Sequence, residues 1–407
     1  MTDERREALS DRLVDAAKSL KVLSAISWPQ RVATEFLDGW RKGDPKLPEV
    51  RKKSAGELAA ALRAIENECD VGDPVQRYLA RTAESYRLTA ELLDHVGTQT
   101  FHQISHELYG GPGGTLLGSK LTHREAAERL LFSTDALAEA AMQNEGAYCV
   151  TAQSVASDLA KDWEGFFDKP IKFVIDADLS AKAAASATKV RLRAGTCFTA
   201  YDSRQLSAHE IGVHALTSLN GRNQSTIRAL GLGAPRTTAT QEGLATFAEL
   251  ITGAIDLARL RRIAMRIRAI HLAEDGADFV ELFEHLLELG EPEIEAVLTT
   301  MRVFRGGDVR GKYPFTKDVV YLKGLFAVHT FLRKAISEHR IDVIARLFVG
   351  RVTLGDVGEL EEAFGSTIDA PKYLPPWAAD LPALAAYLAV SAIIDAVDLQ
   401  TVDLNAL

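Results

Sequence analysis

The residues best equipped for chemistry are His209-Glu210-Ile211-Gly212-Val213-His214. Imidazoles are common zinc ligands, and a glutamate beside the first is placed to act on water at the metal rather than on the metal itself. The compact helical form of this pattern, H-E-x-x-H, carries its histidines at i and i+4 on one helix face. Here they stand at i and i+5, which on a regular helix of about 3.6 residues per turn leaves them roughly 140° apart. One π-type bulge absorbs the extra residue, and Gly212 lowers the cost of irregular backbone there. The spacing therefore predicts half of a zinc site, on a helix over residues 203–219 with one widened turn and a stop at Asn220-Gly221. The competing interpretation is a chance triplet on an amphipathic helix.

A zinc site needs a third protein ligand, and a catalytic one leaves the fourth position to water. Downstream, Ala239-Thr240-Gln241-Glu242-Gly243-Leu244-Ala245-Thr246 opens an apolar-periodic run, predicting a second helix capped by Thr240 and continuing to residue 273. Glu242 in its first turn is either that ligand or a carboxylate answering the helix N-terminus. Glu249 shares its face seven residues on. Arg259, Arg261, Arg262, Arg266 and Arg268, later in the run, read as a solvated basic face.

Together these segments resemble the tyrosine carboxypeptidase family. Its bacterial members are labelled flavohaemoglobin expression-modulating QEGLA motif proteins, and its eukaryotic relatives are the microtubule-associated enzymes that remove the C-terminal tyrosine of α-tubulin. The likeness rests on the H-E-x-x-x-H run, Asn220-Gly221, Gln224 and Gln241-Glu242-Gly243-Leu244-Ala245. It extends to Leu108-Tyr109-Gly110 with Pro112, to Arg302-Val303-Phe304-Arg305-Gly306, and to Thr316-Lys317-Asp318-Val319-Val320-Tyr321-Leu322, covering residues 20–390. By that resemblance His209, His214 and Glu242 hold one zinc ion per chain and Glu210 is the catalytic glutamate. The tubulin-binding parts of the eukaryotic relatives are not recognisable, so the physiological substrate does not transfer.

A carboxypeptidase must recognise a free α-carboxylate, which arginine's planar fork pairs bidentately, and must stabilise an oxyanion, a task for a tyrosine hydroxyl or a second cation. Residues 302–324 supply these groups. Arg302, Arg305 and Lys323 are the substrate-binding candidates and Tyr321 the catalytic one, against surface ion pairs and core packing as the alternative. The rival functional class is a non-catalytic zinc-binding regulator of the same fold. A structural site usually has four protein ligands, and the sequence offers no fourth.

The elements that must position these groups are mostly helical. Helical spacing recurs through residues 1–100, with Trp28 and Trp40 as core, then over 122–144 and on to Trp163, and again from 325 to 407 as scaffold. The period changes at residues 171–175 and 189–193, which alternate and read as strands. The second of these offers a free edge for substrate backbone. Tyr109-Gly110-Gly111-Pro112-Gly113-Gly114 is a rigid loop near the cleft rather than a phosphate cradle, because no strand precedes it. His102 and His106, at i and i+4, form a rival metal pair for which a solvated or capping role is expected. The fold class is α+β, mostly helical and zincin-like, with a small sheet packed on the metal-binding helix. An N-terminal helical region (residues 1–120) folds onto a catalytic region (residues 121–407).

Composition sets the limits. A chain of 407 residues with 47% hydrophobic and 25% charged residues suits one large or two medium domains. The net charge of −9 argues against nucleic acid or anionic membrane as partner, while the family resemblance implies a peptide or protein C-terminus as substrate. Cys69, Cys149 and Cys197 are few and scattered, as expected of unpaired thiols in the cytoplasm. Residues 381–394 are the most apolar stretch and too short to span a bilayer. Nothing in the sequence sets the oligomeric state.

Overall fold

Two helices, Thr238–Ile251 and Val320–Ser337, cross at Gly243 and Gly324 in the middle of the chain's computed structural model, which describes residues 2–50, 55–137, 149–177, 179 and 181–394. A Cβ added at Gly243 would lie 2.3 Å from the Gly324 carbonyl oxygen, and one at Gly324 would lie 2.1 Å from that of Ala239. Backbone therefore meets backbone. The glycine of the Gln241–Ala245 stretch is there because no side chain fits, and the crossing seats Glu242 beside the turn that leads into the second helix.

The metal-type segment is continuous but changes pitch. A regular helix, Ala200–Leu206, passes into a π-helix, Ser207–Ala215, and returns to regular geometry over Leu216–Arg222. Its start is fixed by a capping box, Thr199 Oγ1 accepting the Asp202 N–H while the Asp202 carboxylate accepts the Thr199 N–H. The stop expected at Asn220-Gly221 is overridden, because both residues are held inside the helix. Asn220 Nδ2 donates to the Phe348 and Tyr373 carbonyls, and a Cβ at Gly221 would stand 2.3 Å from the Leu230 carbonyl. Thr240 is likewise not a cap. The helix starts two residues earlier, and Thr240 Oγ1 accepts the Leu354 N–H.

The single long helix expected to residue 273 is two. The first ends at Thr252 and Gly253, the latter at φ +62, and the second runs Leu257–Glu274 under an Asp256 cap. This turn folds Arg259 back onto Glu249 and undoes the solvated basic face. Arg261 bonds the Leu131 carbonyl, Arg268 pairs with Glu128, and Arg259, Arg262 and Arg266 line a cleft.

The sheet has three strands, β1 (Lys172–Asp176), β2 (Ala183–Ser186) and β3 (Lys189–Arg193), in the order β1-β3-β2. β1 and β3 are the two expected strands, and they pair parallel. β2, antiparallel to β3, had no signature because its alanines do not alternate with polar residues. β3, expected to offer a free edge, is central and has none, and β2 is an edge strand. The strand along the cleft is β2, and the sheet packs on the π-helix through it, Ala185 N–H donating to Glu210 Oε2 at 2.8 Å.

The largest apolar cluster runs from Leu9 to Leu388, so N-terminal helices such as Pro74–Asp94 share one core with the site-bearing helices. A second cluster packs Trp28 and Phe36 edge-on against Phe279. Trp40 meets Phe283 in the same manner. Of the helix expected over 122–144, His123–Ser133 is observed, and residues 138–148 lie outside the described residues. The glycine loop turns its carbonyls, not its amides, to that helix: Pro112 O accepts the Arg124 N–H and Gly114 O the His123 N–H. It does not line the cleft. Cys149 and Cys197, expected unpaired, form a disulfide (Cα–Cα 4.9 Å) beside the Val150–Phe198 bridge, while Cys69 is a buried free thiol. Among the described residues no helix is long and apolar enough to cross a membrane.

Gly243→Ala should destabilise the protein by about 1–3 kcal/mol through overpacking. Gly358→Ala, where an added Cβ meets nothing within 4 Å, should be neutral or slightly stabilising. Denaturant unfolding of both checks this, and equal stabilities would show that the crossing has slack.

Candidate active site

In a π-helix the backbone bond runs from i to i+5, so residues five apart stack. Leu216 N–H indeed bonds Ile211 O, and the His209 and His214 rings meet edge to face with centroids 4.7 Å apart. Their Nε2 atoms are 3.1 Å from each other and 3.4 and 3.5 Å from Glu242 Oε2. Tetrahedral zinc with bonds of about 2.0–2.1 Å sets its ligand atoms roughly 3.3–3.4 Å apart. The triangle matches that demand. Glu242 Oε2 is moreover a buried carboxylate oxygen with no hydrogen-bond partner among the described residues, as expected of an atom whose partner is an ion. No fourth protein ligand joins the group among those residues.

His209 is oriented from behind. Its Nδ1–H donates to Glu249 Oε1 at 2.6 Å, which fixes the tautomer with Nε2 facing the triangle. Glu249 is fully buried and also accepts from Gln205 Nε2 (3.0 Å) and from Arg259 Nε and Nη2 (3.2 and 3.1 Å). Burial alone would raise the Glu249 carboxyl, but the Arg259 charge and the His209 bond hold it down at about 2. Burial likewise opposes a charge on His209, yet Glu242 and Glu249 outweigh it and raise the imidazole to about 10. At Glu242, Lys317 and the two imidazoles overcome burial and keep the carboxyl well below its ordinary range. The pocket is built to hold positive charge between these carboxylates.

Glu210 stays out of the triangle. Its bond from Ala185 N–H aims it along the cleft beside β2. The cleft, ≈ 490 Å³, is lined by nine lysines and arginines against four carboxylates, so an acidic protein presents a locally cationic groove.

One turn, Lys317–Val319, serves both parts of the cleft. Lys317 Nζ lies 3.4 Å from Glu242 Oε1, while Asp318 enters an arginine cluster. Arg302 Nε and Nη2 both donate to Asp318 (2.6 and 2.9 Å), Arg305 Nη2 donates at 3.3 Å, and Arg266 Nε stands 3.6 Å away. Burial would raise Asp318, but Arg302, Arg266 and Arg305 force its carboxyl far below the usual range. Burial first and the Arg302 charge second push Arg266 down to about 9 and Arg305 down to about 10. Three guanidiniums around one carboxylate leave surplus positive charge facing the cleft.

The structure thus brings together His209, His214, Glu242 and Glu210, and places Arg302, Arg305 and Tyr321 on the cleft wall. Arg302's fork is already occupied by Asp318. The Tyr321 ring lies under three cations, 5.6–5.7 Å from Arg259, Arg266 and Lys317. Lys323 is placed elsewhere, Nζ donating to Tyr109 O at 3.3 Å on the far side of its helix. Sequence reasoning missed the roles of Glu249, Arg259, Arg266, Lys317 and Asp318. It also missed Arg351, from the stretch read as scaffold, whose Nη2 donates to the His214 carbonyl at 3.2 Å. The prior signals were the density of charge in residues 259–268 and 302–323 and the seven-residue spacing that sets Glu249 on the face of Glu242, while Arg351 had none.

A mostly helical α+β protein with a largely buried His-His-Glu triangle at the wall of a basic groove defines the class. The family model for microtubule-associated tyrosine carboxypeptidase matches residues 35–396, and the chain belongs to that family. Comparison with curated proteins found no match.

Asp318→Asn leaves one buried and two half-buried arginines without their counter-charge and should cost about 3–5 kcal/mol at neutral pH. The carboxyl's folded pKa is depressed, so its contribution is complete above about pH 4 and fades on acidification below that, by about 1.4 kcal/mol per pH unit. Denaturant unfolding at pH 7 and pH 3 should show the gap between parent and variant narrowing. A gap that does not change with pH would rule out this charge balance.

Proposed function

We propose that the protein is a zinc-dependent metallo-carboxypeptidase that releases a C-terminal residue from a peptide or protein. The observation that carries this reading is the triangle of His209, His214 and Glu242, with an orphaned carboxylate oxygen at one corner and the unligated Glu210 beside it. Those three side chains would hold one zinc ion, which when bound supplies Lewis acidity toward water and the scissile carbonyl. A site with three protein ligands suits catalysis better than a purely structural role.

The chain's own residues do the rest. Glu210, as general base, takes a proton from the attacking water and passes it to the leaving amine. Its bond to Ala185 N–H keeps the carboxylate pointed along β2. In an antiparallel pair N–H groups alternate in direction, so Ala183 presents its backbone on the same side as Ala185 and can pair with substrate backbone. That arrangement, a sheet edge beside the metal-binding helix, is zincin-like. The surplus charge of Arg266, Arg302 and Arg305 receives the terminal carboxylate, with Asp318 positioning the forks rather than competing with the substrate. Lys317, 3.4 Å from Glu242 Oε1, and Tyr321 on the same cleft wall would supply the cation and donor an oxyanion needs. Family membership supports a peptide or protein C-terminus as substrate. The cytoplasm is the proposed place of action, where the exposed Cys149–Cys197 pair would be reduced.

Glu210→Gln should retain zinc at the triangle and lose about 10²–10⁴-fold in turnover, whereas His214→Ala should lose that zinc as well. Metal analysis and hydrolysis of peptides with free or amidated C-termini test both halves of the proposal. Equal cleavage of amidated and free peptides would remove the carboxypeptidase assignment. Bound zinc with no peptide turned over would favour the regulatory alternative.

A further inference from the structure

His102 and His106 share one face of the helix Gln99–Tyr109, and the sequence offers them no third ligand. The fold supplies one. Glu274, the last residue of the helix Leu257–Glu274, brings Oε1 to 2.7 Å from His106 Nε2 and 3.8 Å from His102 Nε2. The ligand atoms lie within 4.8 Å of one another, and the two rings stand edge to face at 4.6 Å. None of the three residues lines the cleft.

We propose that His102, His106 and Glu274 form a second divalent-metal site, of the zinc class, separate from the cleft. Two features argue for a site that is built. His102 Nδ1 lies 2.8 Å from the Pro314 carbonyl, which can only accept, so Nδ1 carries the proton and Nε2 offers its lone pair toward Glu274. That carbonyl–imidazole contact is the usual support of a metal-binding histidine. Space for His106 is made by Gly111, where an added Cβ would fall 2.0 Å from Cε1 and 2.8 Å from Nε2. The glycine loop, which the cleft does not use, thereby acquires a reason for its composition. The distances of 2.7 and 3.8 Å bracket the roughly 3.3 Å edge of tetrahedral zinc, so a modest shift of the Glu274 carboxylate, common to both, from His106 toward His102 evens the set. The His106 side chain is 39% exposed, leaving an open side for water as further ligand.

A metal there would tie together three segments: the two helices and, through Pro314, the loop that precedes Lys317. Thr316 in that loop already donates its N–H to Ser105 Oγ at 2.9 Å. The next two residues are those that reach Glu242 and the arginine cluster.

The test is zinc stoichiometry of the full-length chain after equilibration with zinc and removal of the excess. The parent should hold two equivalents. His106→Gln should hold one, and His214→Ala should also hold one, each having lost a different ion. Because His106 is partly exposed, His106→Gln should unfold as cooperatively as the parent. Glu274→Gln is the independent variant and should likewise hold one equivalent. The proposal is overturned if the parent holds no more than one equivalent, or if His106→Gln and Glu274→Gln bind as much zinc as the parent.

Discussion

A carboxylate with no solvent exposure, Glu249, is tolerable only because His209, Gln205 and Arg259 surround it. An ionised carboxylate left unpaired in that position would cost several kcal/mol. The same bonds that satisfy Glu249 lock the His209 ring with Nε2 forward, and the break after Ile251 exists to bring Arg259 round. The site and the local fold are in this sense one problem in charge satisfaction. The triangle cannot keep its geometry without Glu249, and Glu249 cannot stay buried without the turned-back helix.

The π-helix and the glycine crossing complete the arrangement from the two other sides. Widening Ser207–Ala215 stacks two histidines that regular geometry would separate. Bringing Gly243 against Gly324 lets Glu242 meet them, and lets a single turn on the neighbouring chain segment deliver Lys317 to the triangle and Asp318 to the arginines. Adjacent residues of opposite charge thus serve adjacent chemical needs. One steadies a buried carboxylate, and the other gathers cations that would otherwise repel.

Much of this was legible in residue order. The i, i+5 spacing demanded a widened turn, and the two alternating stretches became β1 and β3. What was not legible shares a cause. Arg259 and Arg266 have the composition of a solvated face, and only the break at Gly253 turns them inward. β2 carries small residues whose pairing is set by β3, not by their own pattern. Lys323 sits two residues from Tyr321 with the same apparent promise, yet helical geometry sends it to the Tyr109 carbonyl instead.

Local spacing and residue type by themselves determined the metal-type pair, the adjacent glutamate, the helical character and the place of two strands, because these depend on contacts within a few residues. Only the tertiary structure decided which distant groups meet: Glu249 behind His209, Asp318 among three arginines, Ala185 on Glu210, Glu274 on His106. Such pairings join residues far apart in the chain, and burial makes those of Glu249 and Asp318 obligatory. Charge burial is a property of the assembled fold, so no window of sequence contains it.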